Sequence, residues 1–288
     1  MAISQAAFNS IIGHKVVKSK SDIGVDTYSA ISTQASSSTT ASDSLKLALS
    51  TPVTTLSACT DPVASTVRRL KASEVGQAAE CLADAFRDDE LARYFTHTPD
   101  RKPTSDLRKL HFTIMKCIVR AHVQCGLATV IGENYDCVAL WMPPGMDMDG
   151  LWPMLRSGMN RLHFFCRDMT KEGRIRFFDE FLPTLHDVKH QTLQEHDHDS
   201  WYLVYIGTKP GSRKRGYAKR LIEDVTRKAD EKNQHCYLES TNVANAALYN
   251  KLGFAHQSYI HFKRSTPHVV LDVMTRPPRA RAVARHIE

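Results

Sequence analysis

No stretch of this 288-residue chain approaches the roughly 18 to 20 consecutive apolar residues that span a bilayer, so a membrane partner is not expected. No Cys-x-x-Cys occurs among the seven cysteines (Cys59, Cys81, Cys117, Cys125, Cys137, Cys166 and Cys236), which excludes zinc-ribbon and thioredoxin-like motifs. Their number is odd, and most sit beside apolar residues, where a free thiol behaves as a small hydrophobe in a reducing compartment. No arginine precedes Arg68, and Asp22 and Asp26 interrupt the opening segment, unlike an Arg-rich, acid-poor mitochondrial presequence. A compact secretory h-region is missing too. A cytoplasmic protein is expected, with a mitochondrial address as the alternative. No Gly-x-Gly-x-x-Gly is present, so the dinucleotide fingerprint fails, and no repeat at solenoid spacing occurs.

What is present is ordinary for a soluble globular chain: 42% hydrophobic and 24% charged residues. The 38 basic residues outnumber the 31 acidic ones, giving a net charge of +7. That balance favours polyanionic partners without separating nucleic acid from a phosphorylated cofactor. Between Ser32 and Thr66 about half of the positions are Ser or Thr and none is a large aromatic. Such a segment buries too little surface to offset its ordering entropy, so residues 1–65 read as a disordered arm. A globular domain is expected over residues 66–278, followed by a basic tail, 279–288.

Within that domain Val67–Leu70 reads as a short strand. Residues 73–86 carry helical spacing (Val75, Ala79, Leu82, Phe86), and a second helix is predicted from about Asp106 to Gln124 with Gly126 as its stop. Leu127–Ile131 and Cys137–Trp141 read as paired strands. Residues 148–182 read as helical, broken at Pro153 and closed before Pro183, with His186–Asp199 as a charged linker. Trp201–Ile206 is aromatic and β-branched, hence a strand, and Cys236–Ser240 is a second.

Between those two strands lies Arg213-Lys-Arg-Gly216-Tyr-Ala218, followed by Leu221, Ile222, Val225 and Ala229 at helical spacing. Strand, basic glycine-containing loop, helix is an anion-binding arrangement. The first helical turn has backbone N–H groups without intrahelical partners and sits at the positive end of the helix dipole. Gly211 and Gly216 have the offset of a Walker A loop, but Tyr217 and Ala218 replace its Lys and Ser/Thr, so a nucleoside-triphosphate site is excluded.

The Arg-x-x-Gly-x-Ala pattern resembles the pyrophosphate loop of the GNAT acetyltransferases. Further on, Asn242, Asn245, Leu248-Tyr249 and Gly253-Phe254 resemble that family's closing helix. Asn245 with the upstream Leu-Glu-x-Ser, together with Trp201-Tyr-Leu and Val138–Trp141, is similar to the puromycin N-acetyltransferase-like branch. The resemblance covers roughly Val67 to Pro278. It implies an α/β GNAT fold: a mixed, mostly antiparallel sheet, splayed between strands 201–206 and 236–240, with helices on both faces. It implies an acetyl-CoA-dependent N-acetyltransferase, with direct attack by the amine of a small molecule in a ternary complex. A protein lysine or N-terminal acetyltransferase and a non-catalytic acetyl-CoA-binding module are the alternatives.

On this resemblance the strand end Ile206-Gly207-Thr208 offers backbone groups to the pantetheine arm. Arg213, Lys214, Arg215, Gly216, Tyr217 and Ala218 cradle the pyrophosphate, chiefly through main-chain N–H. Tyr249 is the expected general acid, since a phenol is protonated at neutral pH. Asn242 is either a helix cap or a cofactor contact. Asn245, one turn before Tyr249, lies on the same helix face and is expected to reach the cofactor. No carboxylate stands in strand 201–206, so Glu239 is the candidate base, a structural carboxylate being the other reading. The additional helices of 148–182 are expected to build the acceptor pocket.

His186, His190, His196 and His198 cluster near acids, but acetyl transfer needs no metal, and cleft lining or a solvated loop is preferred. The tail Arg276-Pro-Pro-Arg279-Ala-Arg281…Arg285 lacks aromatic interleaving, so a solvated terminus rather than a nucleic-acid partner is expected. Oligomeric state has no signature here.

Overall fold

The computed structural model describes residues 66–102, 106–146 and 169–279. Its strands are β1 (Arg68–Arg69), β2 (Leu127–Ile131), β3 (Cys137–Met142), β4 (Ser200–Thr208), β5 (His235–Ser240), β6 (Ala255–Phe262) and β7 (Val269–Arg276). They form a single seven-stranded sheet in the order β1-β2-β3-β4-β5-β7-β6. Every neighbouring pair is antiparallel except β4 with β5, which run parallel. This is the mixed sheet expected.

β2 and β3 are buried at every position, which explains their unbroken apolar sequences: both faces of the sheet are covered. Alternate residues face opposite cores. Ala128, Val130, Val138, Leu140, Tyr202 and Tyr237 pack with helices α1 (Val75–Ala85), α2 (Glu90–Thr96) and α3 (Leu107–Cys125). Leu127, Ile131, Ala139, Trp141, Leu203 and Leu238 pack on the other face. Their partners there are Leu221, Ile222, Val225 and Ala229, the apolar stripe of a helix at Tyr217–Glu231. Asp106 caps α3 by accepting the Lys109 N–H at 2.9 Å, and Gly126 ends it. No helix among the described residues is long and apolar enough to cross a membrane.

Several expectations need correction. Helix α2 had no assignment, because seven residues are too few to display a period. The segment expected to close before Pro183 runs on. Helix α4 (Lys171–Arg174) passes through a π-helical stretch, Ile175–Phe181, into α5 (Leu182–Leu193). Most of the supposed linker His186–Asp199 is therefore helical. Pro183 is tolerated because it stands in the first turn after the wide π segment, where the regular α ladder has already been interrupted. Of the expected helical stretch, residues 148–168 lie outside the described residues, as do the arm 1–65 and residues 280–288 of the tail.

The remaining helices are α6 (Tyr217–Glu231) and α7 (Ala246–Lys251). Two of the four clustered histidines have partners near the C-terminal end of α5. His190 and Lys189 both engage Asp197, and His196 stacks on His235 with centroids 4.1 Å apart. No group of three or more His, Cys, Asp or Glu placed to hold a metal occurs among the described residues.

Arg276 is not part of a solvated tail. It closes β7 with 2% exposure, donating two hydrogen bonds of 2.7 Å to the Asp230 carboxylate and one of 3.0 Å to the Leu252 carbonyl. A buried guanidinium persists only when its donors are paired, and here the pair ties the end of α6 to the last strand. Removing the carboxylate leaves that charge buried and uncompensated. Asp230→Ala should therefore lower unfolding free energy by about 3 kcal/mol, read as a reduced urea midpoint, whereas Lys228→Ala, which removes an exposed ion pair, should cost under about 1 kcal/mol.

Candidate active site

The parallel pair β4/β5 is short. Ser200–Leu203 pair with His235–Leu238, and then the strands part while β4 continues to Thr208. A bulge marks the parting: β3 sets Leu140 opposite Tyr205 and Trp141 opposite Leu203, so Val204 is the extra residue. Past the bulge, Gly207 lies against α1, where an added Cβ would approach Ala85 Cβ at 2.8 Å and Leu82 Cδ2 at 2.9 Å. Glycine is required there by packing. From Val204 to Thr208 the β5-side edge of β4 has no strand partner among the described residues.

The loop after β4 is pinned to the β2–β3 turn. Ser212 donates to Asp136 Oδ1 at 2.6 Å and the Lys209 ammonium to the Asn134 carbonyl at 2.6 Å. Thr208 donates to Cys137 Sγ at 3.0 Å. Lys214 and Gly216 then adopt left-handed backbone conformations, φ 65° and 77°. Gly216 is the residue before α6, and Arg220 N–H is the first in the helix to reach its carbonyl, at 3.1 Å. The N–H groups ahead of it point out of the helix start. Tyr217 and Ala218 pack their side chains against the α6-side core. Arg213 donates to the Ala85 carbonyl at 3.3 Å and Arg215 to the Gly211 carbonyl at 3.5 Å. A Cβ built on Gly216 meets nothing within 4 Å. The loop before α6 thus presents backbone with open space at Gly216, and two of its three cationic side chains engage protein carbonyls.

Glu239, Tyr249, Asn245 and Ile206 line one pocket at the parting of the strands. The pocket continues between the sheet and α1–α3, walled by Phe86, Leu91, Phe95, Ile114, Met115 and Tyr205. Glu239 Oε2 accepts the Tyr202 hydroxyl at 2.7 Å; Oε1 is buried with no hydrogen bond of good geometry among the described residues, and the nearby Tyr237 hydroxyl also draws on the carboxylate. Burial pushes the Glu239 carboxyl up from 4.5 to about 7, against the opposing pull of the Tyr202 hydroxyl. Tyr249 is 5% exposed, and burial pushes its phenol up to about 12.

Asn245 lines the pocket, and its side chain makes no capping bond. Asn242 accepts the Ala244 N–H at 2.9 Å and so acts as a cap. Neither Asn242 nor residues 213–218 line this pocket.

Sequence reasoning missed Asp89 and His111, both pocket-lining. Asp89 Oδ1 caps α2 through the Leu91 and Ala92 N–H groups at 3.0 and 3.1 Å, and Oδ2 accepts the Thr241 hydroxyl at 2.5 Å. An aspartate two residues before a short apolar segment is a cap signal. His111 shares a helix stripe with Ile114, Met115 and Ile118, a polar residue interrupting an apolar face.

Residues 173–254 match the acetyltransferase (GNAT) family. An uncharacterized N-acetyltransferase of Schizosaccharomyces pombe is 37% identical over 217 residues, covering 75% of this chain and 85% of that protein. Two solved structures are similar in fold: arylalkylamine N-acetyltransferase 2 from Aedes aegypti (TM-score 0.50, 16% identity) and a mosquito arylalkylamine N-acetyltransferase like 5b (TM-score 0.51, 12% identity). Each match covers 74% of this chain and 99% of the other. At those identities the likeness concerns fold alone. The chain belongs to the GNAT acetyltransferase family, and its enzymatic class is N-acetyltransferase.

Glu239 makes one consequence measurable apart from activity. Its folded value lies above its unfolded one, so folded protein holds a proton that unfolded protein has released, and stability falls as pH rises through this window. From about pH 4.5 to beyond 7 the carboxylate should cost roughly 3 kcal/mol of stability relative to Glu239→Gln, seen as urea midpoints that diverge with rising pH.

Proposed function

We propose that the chain transfers acetyl from acetyl-CoA to the amine of a small molecule by direct attack in a ternary complex. The observation that carries this reading is the parting of β4 from β5, which joins an open backbone anion cradle at one end to an apolar, carboxylate-bearing pocket at the other. The residues present fit the cosubstrate: left-handed Gly216 with empty space before it suits a diphosphate, and the unpartnered edge of β4 suits an amide-bearing arm. Lys214 to Ala218 would hold the diphosphate, and Ile206 to Thr208 would face the arm. Bound acetyl-CoA would supply the acetyl group as an activated thioester.

The chain's own groups supply the proton transfers. Glu239, raised to about 7, is a stronger base than an exposed carboxylate yet is substantially ionised at neutral pH, so Oε1 accepts a proton from the incoming ammonium. Tyr202 steadies the other oxygen and so fixes the direction of Oε1. Tyr249 keeps its proton throughout the neutral range and delivers it at its phenolic oxygen to a departing thiolate, whose basicity rises in the same water-poor gap. Asn245, one turn away, positions the cosubstrate. The walls of the acceptor pocket favour a small amine over a polypeptide segment.

Calorimetry and thiol release test this reading. Gly216→Glu should fold, because its Cβ meets open space and the left-handed backbone costs about 1–2 kcal/mol, yet it should lose detectable CoA binding because a carboxylate occupies the phosphate site. Unchanged affinity would remove the cradle from the mechanism. Tyr249→Phe should bind CoA normally and release thiol about 100-fold more slowly. In the wild type kcat/KM should rise with pH through a limb near 7, and that limb should vanish in Glu239→Gln. Cofactor binding without turnover of any amine would instead indicate a non-catalytic module.

A further inference from the structure

The acceptor pocket is apolar along most of its wall, yet two of its polar atoms are buried and lack a hydrogen bond among the described residues. They are Glu239 Oε1, from β5, and His111 Nε2, from α3. His111 is 9% exposed, and its neighbours in the lining are Leu91, Phe95, Ile114 and Met115. A buried imidazole nitrogen without a partner is costly, and its retention against apolar neighbours calls for a ligand that satisfies it. Asp89 is no substitute for that ligand. Both of its oxygens are already engaged, by two helix N–H groups and by the Thr241 hydroxyl.

Resting on the acetyltransferase reading above, we propose that His111 selects the acceptor. The substrate is a primary monoamine whose ammonium approaches Glu239, whose body is aromatic, and whose far end carries a hydroxyl that bonds His111 Nε2.

Three observations shape this class. Phe86, Phe95, Phe181, Tyr202 and Tyr205 all line the pocket that holds the two polar points, and Phe86 and Tyr205 meet edge to face at 5.4 Å. Aromatic walls favour a flat apolar body over an extended polyamine. Burial holds the imidazole below its ordinary value despite the nearby Asp89 carboxylate, so at neutral pH it is uncharged and pairs with a neutral hydroxyl rather than an anion. A second ammonium at the far end would meet an uncharged imidazole and an Asp89 carboxylate that already accepts three hydrogen bonds.

The experiment compares kcat/KM for 2-(4-hydroxyphenyl)ethylamine, 2-phenylethylamine and 1,4-diaminobutane, with acetyl-CoA and thiol release as the readout, in the full chain. Wild type should prefer the hydroxylated amine over its deoxy analogue by about tenfold or more, because the analogue leaves a buried polar atom unpaired, and the diamine should be poorest. In His111→Phe the hydroxylated-to-deoxy ratio should fall to about one or below. In His111→Gln, which keeps a hydrogen-bonding amide, a preference should persist. The ratio is taken within each variant, so a partly unfolded preparation does not alter it. A ratio near one in the wild type, a ratio unmoved by His111→Phe, or a preference for the diamine overturns the proposal. If all three amines are inert while CoA still binds, this substrate class fails and the acetyltransferase reading stands. Lack of CoA binding strikes the reading beneath it.

Discussion

The site depends on one backbone event, the failure of β4 and β5 to stay paired beyond Leu203 and Leu238. Buried peptide groups demand partners, and a strand that leaves its neighbour inside a protein must have its edge satisfied some other way. Here several constraints act together to keep the strands apart. Val204 bulges against β3, and Gly207 lets α1 settle against the outgoing strand. The Asp89–Thr241 bond ties the chain leaving β5 to the start of α2. An extended ligand with amides of its own is a natural filler of the gap, so the proposed cosubstrate and the parted strands require one another.

The parting also divides the site electrostatically. At the α6 end, Arg213, Lys214, Arg215 and Gly216 are exposed at a helix start, so the proposed diphosphate cradle would be positive and open to solvent. At the other end, aromatic walls raise the proton affinity of Glu239 and depress that of His111. One desolvating environment thus raises the proton affinity of a carboxyl and keeps an imidazole uncharged, whereas an exposed cleft would leave both near their ordinary values.

Elements whose signal is periodic were legible in the sequence. α1, α3 and α6 follow from apolar spacing, β2 and β3 from short unbroken apolar runs, and the Arg213–Ala218 loop from its place between a strand and a helix. What escaped notice depended on long-range geometry. Strict alternation along β4 would send Tyr202 and Tyr205 to opposite faces. The bulge at Val204 shifts the register, so both line the acceptor pocket. Pro183 reads as a stop in any local scheme, and only the π segment before it lets the helix continue. Arg276 sits in a basic run, yet its partner Asp230 lies 46 residues earlier, beyond any local pattern. His111 was hidden by the stripe it interrupts, since a lone polar residue on an apolar helix face reads as tolerated core.

That last case bears on how the two halves of the proposed chemistry meet. Glu239 projects to the face of the sheet covered by α1–α3, whereas Tyr249 belongs to the core under α6 and α7. In a closed sheet these side chains would be separated by a layer of backbone, and neither a shared substrate nor a sequential proton transfer would be possible. One pocket touches both because the strands between them have parted. In the proposed reaction the acceptor would enter from the aromatic side and the thioester from the α6 side, so each would meet its own proton-transfer group without passing the other. The opening thus sets the order in space of base, acyl carbon and acid, and residues far from the chemistry, such as Gly207 and Asp89, bear on it through the opening they maintain.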